Sequence, residues 1–192
     1  LVPHDVEGLT NCFGSKELTL TKLDSLFTAS SEIIGEVASS DITGLIGQYA
    51  HGNEPGHHTI YLYTMLGQPW KAAERIREVC STLYFDAEAG LSGNEDVGQM
   101  SAWYILSSLG FYEVEPAGGR YWFGTPLFDK AEIDVPAGVF TVVAENNSAE
   151  NKYIQQIYLN GEAYNKPYIS HEDIMAGGEL RFVMGNEPKC WY

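Results

Sequence analysis

The stretch GLSGNEDVGQMSAWYILSSLGFYEVEP, residues 90–116, holds the change from helix to strand on which the fold depends. Its apolar run predicts a helix over 97–109 that is buried on most sides. Asp96 stands where an N-cap is expected, and Gln99 comes three residues later in a capping-box pattern. The helical pattern ends at Gly110, so the sequence predicts helices before this point and strands after it.

The pattern upstream of this stretch is helical. An apolar stripe predicts a helix over 16–29, and residues 68–84 show apolar side chains on one face and charged ones on the other. Pro55 suits the first turn of a third helix, which we expect to end at Gly67. The short loops between these segments favour helices that pack as antiparallel neighbours.

Downstream, short runs rich in β-branched and aromatic residues alternate with Gly, Pro and Asn turn signals. The runs are RYWF, AEIDV, VFTVVAE, YIQQIYL and ELRFVM. They predict mostly antiparallel strands. We therefore expect an α+β chain with a helical part over 1–118 and a small antiparallel β part over 119–192.

The composition narrows the classes of function. The chain has 192 residues, a net charge of −15 and 44% hydrophobic residues, so it can bury a core but lacks the basic surface of a nucleic-acid-binding protein. Its three cysteines show neither a metal-binding spacing nor the even count of a disulfide framework. No apolar run is long enough to predict a membrane span.

The segment Asn94-Glu95-Asp96 allows two interpretations. Asp96 can serve only as a helix cap, with its neighbours as solvated loop residues. Alternatively, the flanking glycines Gly93 and Gly98 let the backbone approach a ligand, and a carboxylate held at the helix start activates a water or binds a cation. The spacing alone leaves both interpretations open.

A second polar segment is YAHGNEPGHH, residues 49–58. His57 and His58 are adjacent and show no zinc-binding spacing, whereas Asn53 and Glu54 offer the oxygen ligands that calcium prefers. The alternative is an ordinary polar start of a helix.

The joined pattern resembles glycoside hydrolase family 92, the calcium-dependent exo-α-mannosidases. The matching segments occur in family order and cover essentially the whole chain. They are VPHDVEGL, GLIGQYAHGNEPGHHTIYLYTMLGQPWKAAERIREV, residues 90–116, GTPLFDKAEIDVP, NKYIQQIYLNG and YISHEDIMAGGELRFVMG.

This resemblance implies the second half of an (α/α)6 toroid followed by the closing β segment. It also implies hydrolysis of terminal α-mannosides with inversion, with Ca2+ as cofactor and mannose-containing glycans, including N-glycans, as partners. The HGNEP segment favours specificity for an α-1,2 linkage. The family resemblance implies a periplasmic or secreted location.

The resemblance also assigns roles to residues. It implies that Asp96 is the general base and that Asn94 occupies an assisting position that is often Asp in the family. It implies that Glu54 is the calcium-associated acid. The residues expected to contact substrate are His51, Asn53, His57 and Glu95.

One departure from the family pattern affects activity. The general acid of the family is a Glu just upstream of the VPHDV match, and the chain begins at Leu1. We therefore expect this chain alone to be an incomplete part of the enzyme, which needs the missing N-terminal part. The alternatives are a carbohydrate-binding fragment without catalysis and a different (α/α)6 glycosidase.

Overall fold

The computed structural model describes residues 2–34 and 42–192. Among the described residues, helices predominate over strands up to residue 108, and strands predominate over helices beyond it. The helices are α1 Val6–Phe13, α2 Lys16–Thr28, α3 Leu62–Met65, α4 Pro69–Thr82, α5 Gln99–Ser108 and α6 His171–Met175. The strands are β1 Leu45–Ile46, β2 Tyr49–Ala50, β3 Phe111–Glu113, β4 Arg120–Phe123, β5 Lys130–Val135, β6 Gly138–Glu145, β7 Tyr153–Leu159, β8 Glu162–Ala163, β9 Tyr168–Ser170 and β10 Gly178–Gly185.

Local capping explains where the first two helices begin. The side chain of Asp5 accepts a hydrogen bond from the Gly8 amide at the start of α1, and Ser15 does the same for the Leu18 amide at the start of α2. Each cap satisfies an amide that has no partner inside its helix. The predicted helices 16–29 and 68–84 are confirmed as α2 and α4.

The continuous helix predicted from Pro55 to Gly67 is wrong. Two 3-10 turns, Glu54–Gly56 and Thr59–Tyr61, precede the short helix α3. The reason is a competing hydrogen bond, because the carbonyl of His57 accepts from the indole N–H of Trp103 at 3.1 Å. The Tyr61 amide bonds to His58 instead, and the chain winds into the tighter turn.

The strands form a five-stranded sheet in the order β5-β6-β10-β7-β8, a three-stranded sheet in the order β3-β4-β9, and the β1-β2 hairpin. Antiparallel pairing predominates, as predicted, but β10 runs parallel to β6 and lies between β6 and β7. The long connection through β7, β8, β9 and α6 brings β10 back in this direction, so the larger sheet is mixed.

In the described part of the chain, two groups of buried side chains form the interior. One lies among the helices and includes Phe27, Ile76 and Trp103. The other lies on the sheets and includes Phe140 and Phe182. Helix α5 and Leu109, which follows it, join the two groups, because Trp103 is buried in the first group and Leu106 and Leu109 pack against the second. None of the described helices combines the length and apolar character needed to cross a membrane.

Candidate active site

The turn before α5 has an unusual backbone. Glu95, Val97 and Gly98 all have positive φ, at 58°, 49° and 78°. This left-handed conformation is rare for a β-branched residue such as Val97. Strained backbone of this kind concentrates at functional sites, so the turn is a candidate site on geometry alone.

Glu95, and not Asp96, caps α5. Both carboxylate oxygens of Glu95 accept from the Ser101 amide, at 3.2 and 3.1 Å, and one accepts from the Ser101 hydroxyl at 3.1 Å. The capping box predicted for Asp96 and Gln99 is therefore wrong, because the left-handed residue Glu95 turns its own side chain onto the helix start. The Asp96 carboxylate makes no hydrogen bond with the described residues, and Asp96 is exposed.

The structure brings Asp96 next to Glu54. The backbone N–H of Asp96 donates to Oε1 of Glu54 at 3.3 Å. Close contact between Gly52 and Gly93 makes this possible, since a Cβ on Gly93 would lie 2.4 Å from the Gly52 carbonyl oxygen, and Gly93 has a φ of 113°. Only glycine fits there, and the two acidic loops meet as a result.

Behind the two loops lies the buried ring of His57. Its Nε2 lies 2.9 Å from the backbone carbonyl of His51, and its Nδ1 lies 3.1 Å from Nε2 of Gln99. A carbonyl only accepts, so Nε2 carries the proton and Nδ1 accepts from the Gln99 amide. Burial lowers the pKa of His57, against smaller opposing effects of the His51 carbonyl and the Glu54 charge.

His51 is buried in a chain of hydrogen bonds. The Tyr84 hydroxyl donates to the Met100 carbonyl at 3.1 Å, so it accepts from Nε2 of His51 at 2.7 Å. Nδ1 of His51 then accepts from the Tyr49 hydroxyl at 2.9 Å. Burial and the neighbouring His57 ring lower the pKa of His51 to about 3, so the ring is neutral at ordinary pH.

The other predicted site residues lie on the outer side of these loops. Asn53 is exposed and precedes the Glu54 turn, where it lines a cavity of about 210 Å³ together with Tyr49 and Pro55. Asn94 is exposed in the loop that carries Asp96. The site therefore has exposed amides and carboxylates in front and neutral, hydrogen-bonded histidines behind.

Sequence reasoning missed Gln99 and Tyr84 as site residues. The capping-box pattern predicts Gln99 only as a partner of Asp96. In the structure Gln99 is half-buried and donates hydrogen bonds to both His57 and Tyr112. A polar residue at the start of an otherwise apolar buried helix was the available signal. Tyr84 gave no signal, because its partner His51 is 33 residues away in sequence.

The donor chemistry of the loops suits calcium only in part. Glu54, Asn53 and Asp96 supply the hard oxygen atoms that calcium prefers, but a calcium ion takes about six to eight oxygen ligands. Within residues 2–34 and 42–192, no group of three or more His, Cys, Asp or Glu side chains is placed to hold a metal ion. Glu54 can thus provide one ligand, and the described side chains do not complete the shell.

Comparison with known proteins identifies the family of this chain. Residues 1–186 match the family model of the glycosyl hydrolase family 92 catalytic domain. The chain belongs to glycosyl hydrolase family 92. The resemblance noted in the sequence is therefore confirmed.

Solved family 92 structures share the fold of this chain. The family GH92 alpha-mannosidase BT3965 from Bacteroides thetaiotaomicron is 42% identical, with a TM-score of 0.88 over 98% of this chain and 25% of that chain. The same alpha-mannosidase in complex with mannoimidazole gives a TM-score of 0.90. The family GH92 inverting mannosidase BT2199 from Bacteroides thetaiotaomicron VPI-5482 is 39% identical, with a TM-score of 0.82 over 97% of this chain and 26% of that chain.

A curated relative points the same way. It is an uncharacterized secreted glycosidase of Arthroderma benhamiae, 28% identical over 194 residues, which represent 99% of this chain and 23% of the relative. The chain thus spans about a quarter of the length of these relatives. The mixed helix and sheet architecture is confirmed, while the toroid and the division at residue 118 stay predictions.

Proposed function

We propose that this chain is part of an inverting exo-α-mannosidase and carries the general base, Asp96. One observation carries the proposal: the Asp96 amide lies on the Glu54 carboxylate at 3.3 Å, while the Asp96 carboxylate is exposed and makes no hydrogen bond with the described residues. An ionised carboxylate that no described residue engages in a hydrogen bond can take a proton from water. The two related structures, one of an alpha-mannosidase and one of an inverting mannosidase, support the same reaction.

The proposed reaction needs two carboxyl groups on opposite faces of the sugar, roughly 6.5–9.5 Å apart. Asp96 takes one proton from a water, whose oxygen forms a bond to the anomeric carbon as the glycosidic C–O bond breaks. The leaving oxygen takes a proton from the general acid. We propose that this acid lies outside the 192 residues, since the chain spans only about a quarter of the length of the related structure. Asn94, an amide, can orient the water but cannot accept its proton.

We assign substrate contact first to Asn53, whose exposed amide adjoins the cavity beside the Glu54 turn. Direct sugar contact by His51, His57 and Glu95 stays a prediction. Their geometry favours a supporting role, because the two rings are buried with both nitrogens occupied and both oxygens of Glu95 bind the start of α5. Calcium, when bound through Glu54, would supply positive charge that holds sugar hydroxyls and favours ionised carboxylates.

The finer parts of the proposal concern substrate and location. We propose that the substrate is α-1,2-linked terminal mannose of glycans, including N-glycans. The α-1,2 linkage is proposed because the HGNEP segment resembles the family pattern that favours it. We propose a secreted or periplasmic protein, which the secreted glycosidase among the relatives supports.

The first test uses the parent enzyme, meaning the complete protein that carries this chain. Asp96→Asn removes the base without changing its size, and we expect kcat on α-1,2-mannobiose to fall by about 10²–10⁴-fold with little change in sugar binding. Asp86→Asn is the matched control, because Asp86 is an exposed carboxylate ten residues earlier in the same long loop. Mannosidase activity unchanged by Asp96→Asn, or sugar binding without any turnover by the wild type, would contradict the proposal.

The same preparation tests the metal, the stereochemistry and the need for further residues. We expect a chelator to abolish turnover, calcium to restore it, and Glu54→Gln to raise the calcium concentration that is required. NMR of the fresh product should show β-mannose, the inverted anomer. The 192-residue chain alone should release no mannose, and parent-like turnover by it would rule out an external acid.

A further inference from the structure

We propose that Gln99 is a positioning residue, which acts through the buried ring of His57 to hold the Asp96 turn against Glu54. The inference rests on the proposed function for its catalytic meaning, but the geometry behind it is independent of that function. It gives His57 a structural place in the site that differs from sugar contact.

His57 makes four hydrogen bonds, two through its backbone and two through its ring. Its amide donates to the Glu54 carbonyl at 3.0 Å, and its carbonyl accepts from the Trp103 indole at 3.1 Å. Its ring bonds the His51 carbonyl at 2.9 Å and the Gln99 side chain at 3.1 Å. His57 is therefore the point where the Glu54 turn is joined to α5.

Gln99 supplies the contact of this junction that lies nearest to Asp96 in sequence. It is the first residue of α5, three positions after Asp96. Its Nε2 donates one proton to Nδ1 of His57 and the other to the Tyr112 hydroxyl at 2.9 Å. Both amide protons are used, so the orientation of the side chain is fixed.

The donor and acceptor directions of these hydrogen bonds limit which residue types can occupy position 99. Nε2 of His57 must donate to a carbonyl, so Nδ1 can only accept, and the residue at position 99 must donate. The amide reaches His57 and Tyr112 at once, and both contacts lie in partly or fully buried surroundings. An apolar side chain of the same length would fill the space but would leave Nδ1 and the Tyr112 hydroxyl without their donor.

The expected consequence is a shift of the Asp96 turn. The Asp96 amide touches Glu54 through a single long hydrogen bond of 3.3 Å, which by itself is weak. The Gln99–His57 bond holds the adjoining residues in place from the buried side. Without it, Asp96 can move relative to Glu54, and small displacements of a catalytic group can lower the rate by about 10²-fold.

The experiment compares Gln99→Met with Gln155→Met in the parent enzyme. Gln155 lies in β7 and also makes two hydrogen bonds through Nε2, to the carbonyls of Tyr153 and Glu187, so it controls for the general cost of losing an amide. We expect Gln99→Met to lower kcat by about 10–100-fold with KM within about threefold of the wild type. Gln155→Met should lower Tm by a similar amount and leave kcat unchanged.

A double-mutant cycle shows whether Gln99 acts through His57. If it does, Gln99→Met should add little to the loss in kcat already caused by His57→Phe. Fully additive effects would overturn the proposal. So would a kcat within twofold of the wild type in Gln99→Met, or an equal loss of kcat in Gln155→Met.

A second readout does not depend on activity. Amide hydrogen exchange over residues 94–101 should become about tenfold faster in Gln99→Met and stay unchanged in Gln155→Met. Unchanged exchange in Gln99→Met would overturn the positioning role even in an active enzyme. Faster exchange in a parent protein that never releases mannose would support the positioning role and contradict only the proposed function.

Discussion

Val97 holds the most unfavourable backbone conformation in the candidate site. Its φ of 49° is left-handed, its side chain is branched at Cβ, and that side chain is fully exposed. Val97→Gly should therefore relieve strain without removing any packing, and we expect it to raise the free energy of unfolding by about 0.5–1 kcal/mol after the entropy cost of glycine. Urea denaturation of the 192-residue chain measures this change.

The matched control makes the same substitution in an extended strand. Val139 is a partly exposed residue of β6, where its conformation suits a β-branched side chain. Val139→Gly should destabilise the chain by about 0.5–1 kcal/mol. If both substitutions lowered the free energy of unfolding, the left-handed turn would store no strain.

At the residue scale, the two polar segments singled out in the sequence lie side by side, but their side chains make contacts that differ from the predicted ones. Asp96 and Glu54 were predicted as site residues from two separate segments, and the structure brings them together. The capping role was given to Asp96 because cap patterns assume an extended residue before the helix. Glu95 has a left-handed backbone, so its side chain reaches the amide of Ser101 instead, which no spacing rule anticipates.

The side chain of Glu95 caps the first turn of α5. Glu95 places a negative charge at the amide end of the helix and binds the Ser101 amide with both oxygens. Such contacts typically contribute about 0.5–2 kcal/mol. We expect Glu95→Ala to lower the free energy of unfolding of the chain by this amount in a urea titration.

Glu88→Ala is the control for this prediction. Glu88 is exposed in the same connection between α4 and α5, and its carboxylate makes no hydrogen bond with the described residues. Its removal should change stability by less than about 0.5 kcal/mol. Equal effects of the two substitutions would show that Glu95 does not cap α5.

The elements themselves were predicted where local pattern decides them. Helix α4 carries a continuous apolar stripe, α2 buries Leu20, Leu23 and Phe27 on one face, and most strands carry β-branched runs between turn signals. The segment from Pro55 to Gly67 was wrongly predicted because the Trp103 indole, 46 residues away, takes the carbonyl that a regular helix needs. Propensity describes a segment and its neighbours, so it cannot include a competing donor from another helix.

At the scale of the whole molecule, Arg77 joins the helical part to the sheets. This half-buried residue of α4 donates to the Pro126 carbonyl at 2.6 Å and to the side chain of Asn147. Burial lowers its pKa. These partners lie 49 and 70 residues away, so the sequence could predict a helical part and a β part but not the contact between them.

Buried histidines make the whole chain sensitive to acid. The pKa of His51 is lowered to about 3, and burial also lowers the pKa of His57 and of His58. In the unfolded chain each titrates near about 6.5. Below that pH the unfolded state binds more protons than the folded state, so the free energy of unfolding falls as the pH falls, by up to about 1.4 kcal/mol per pH unit for each histidine that stays neutral.

We therefore expect the free energy of unfolding to fall by at least about 1 kcal/mol between pH 7 and pH 5.5, a range in which ordinary carboxylates remain largely ionised. Urea titrations at a series of pH values measure this slope. His58→Gln removes one buried histidine and should make the slope shallower. A flat profile over this range would mean that the three buried rings become protonated in the folded state, in which case Nδ1 of His57 could no longer accept from Gln99.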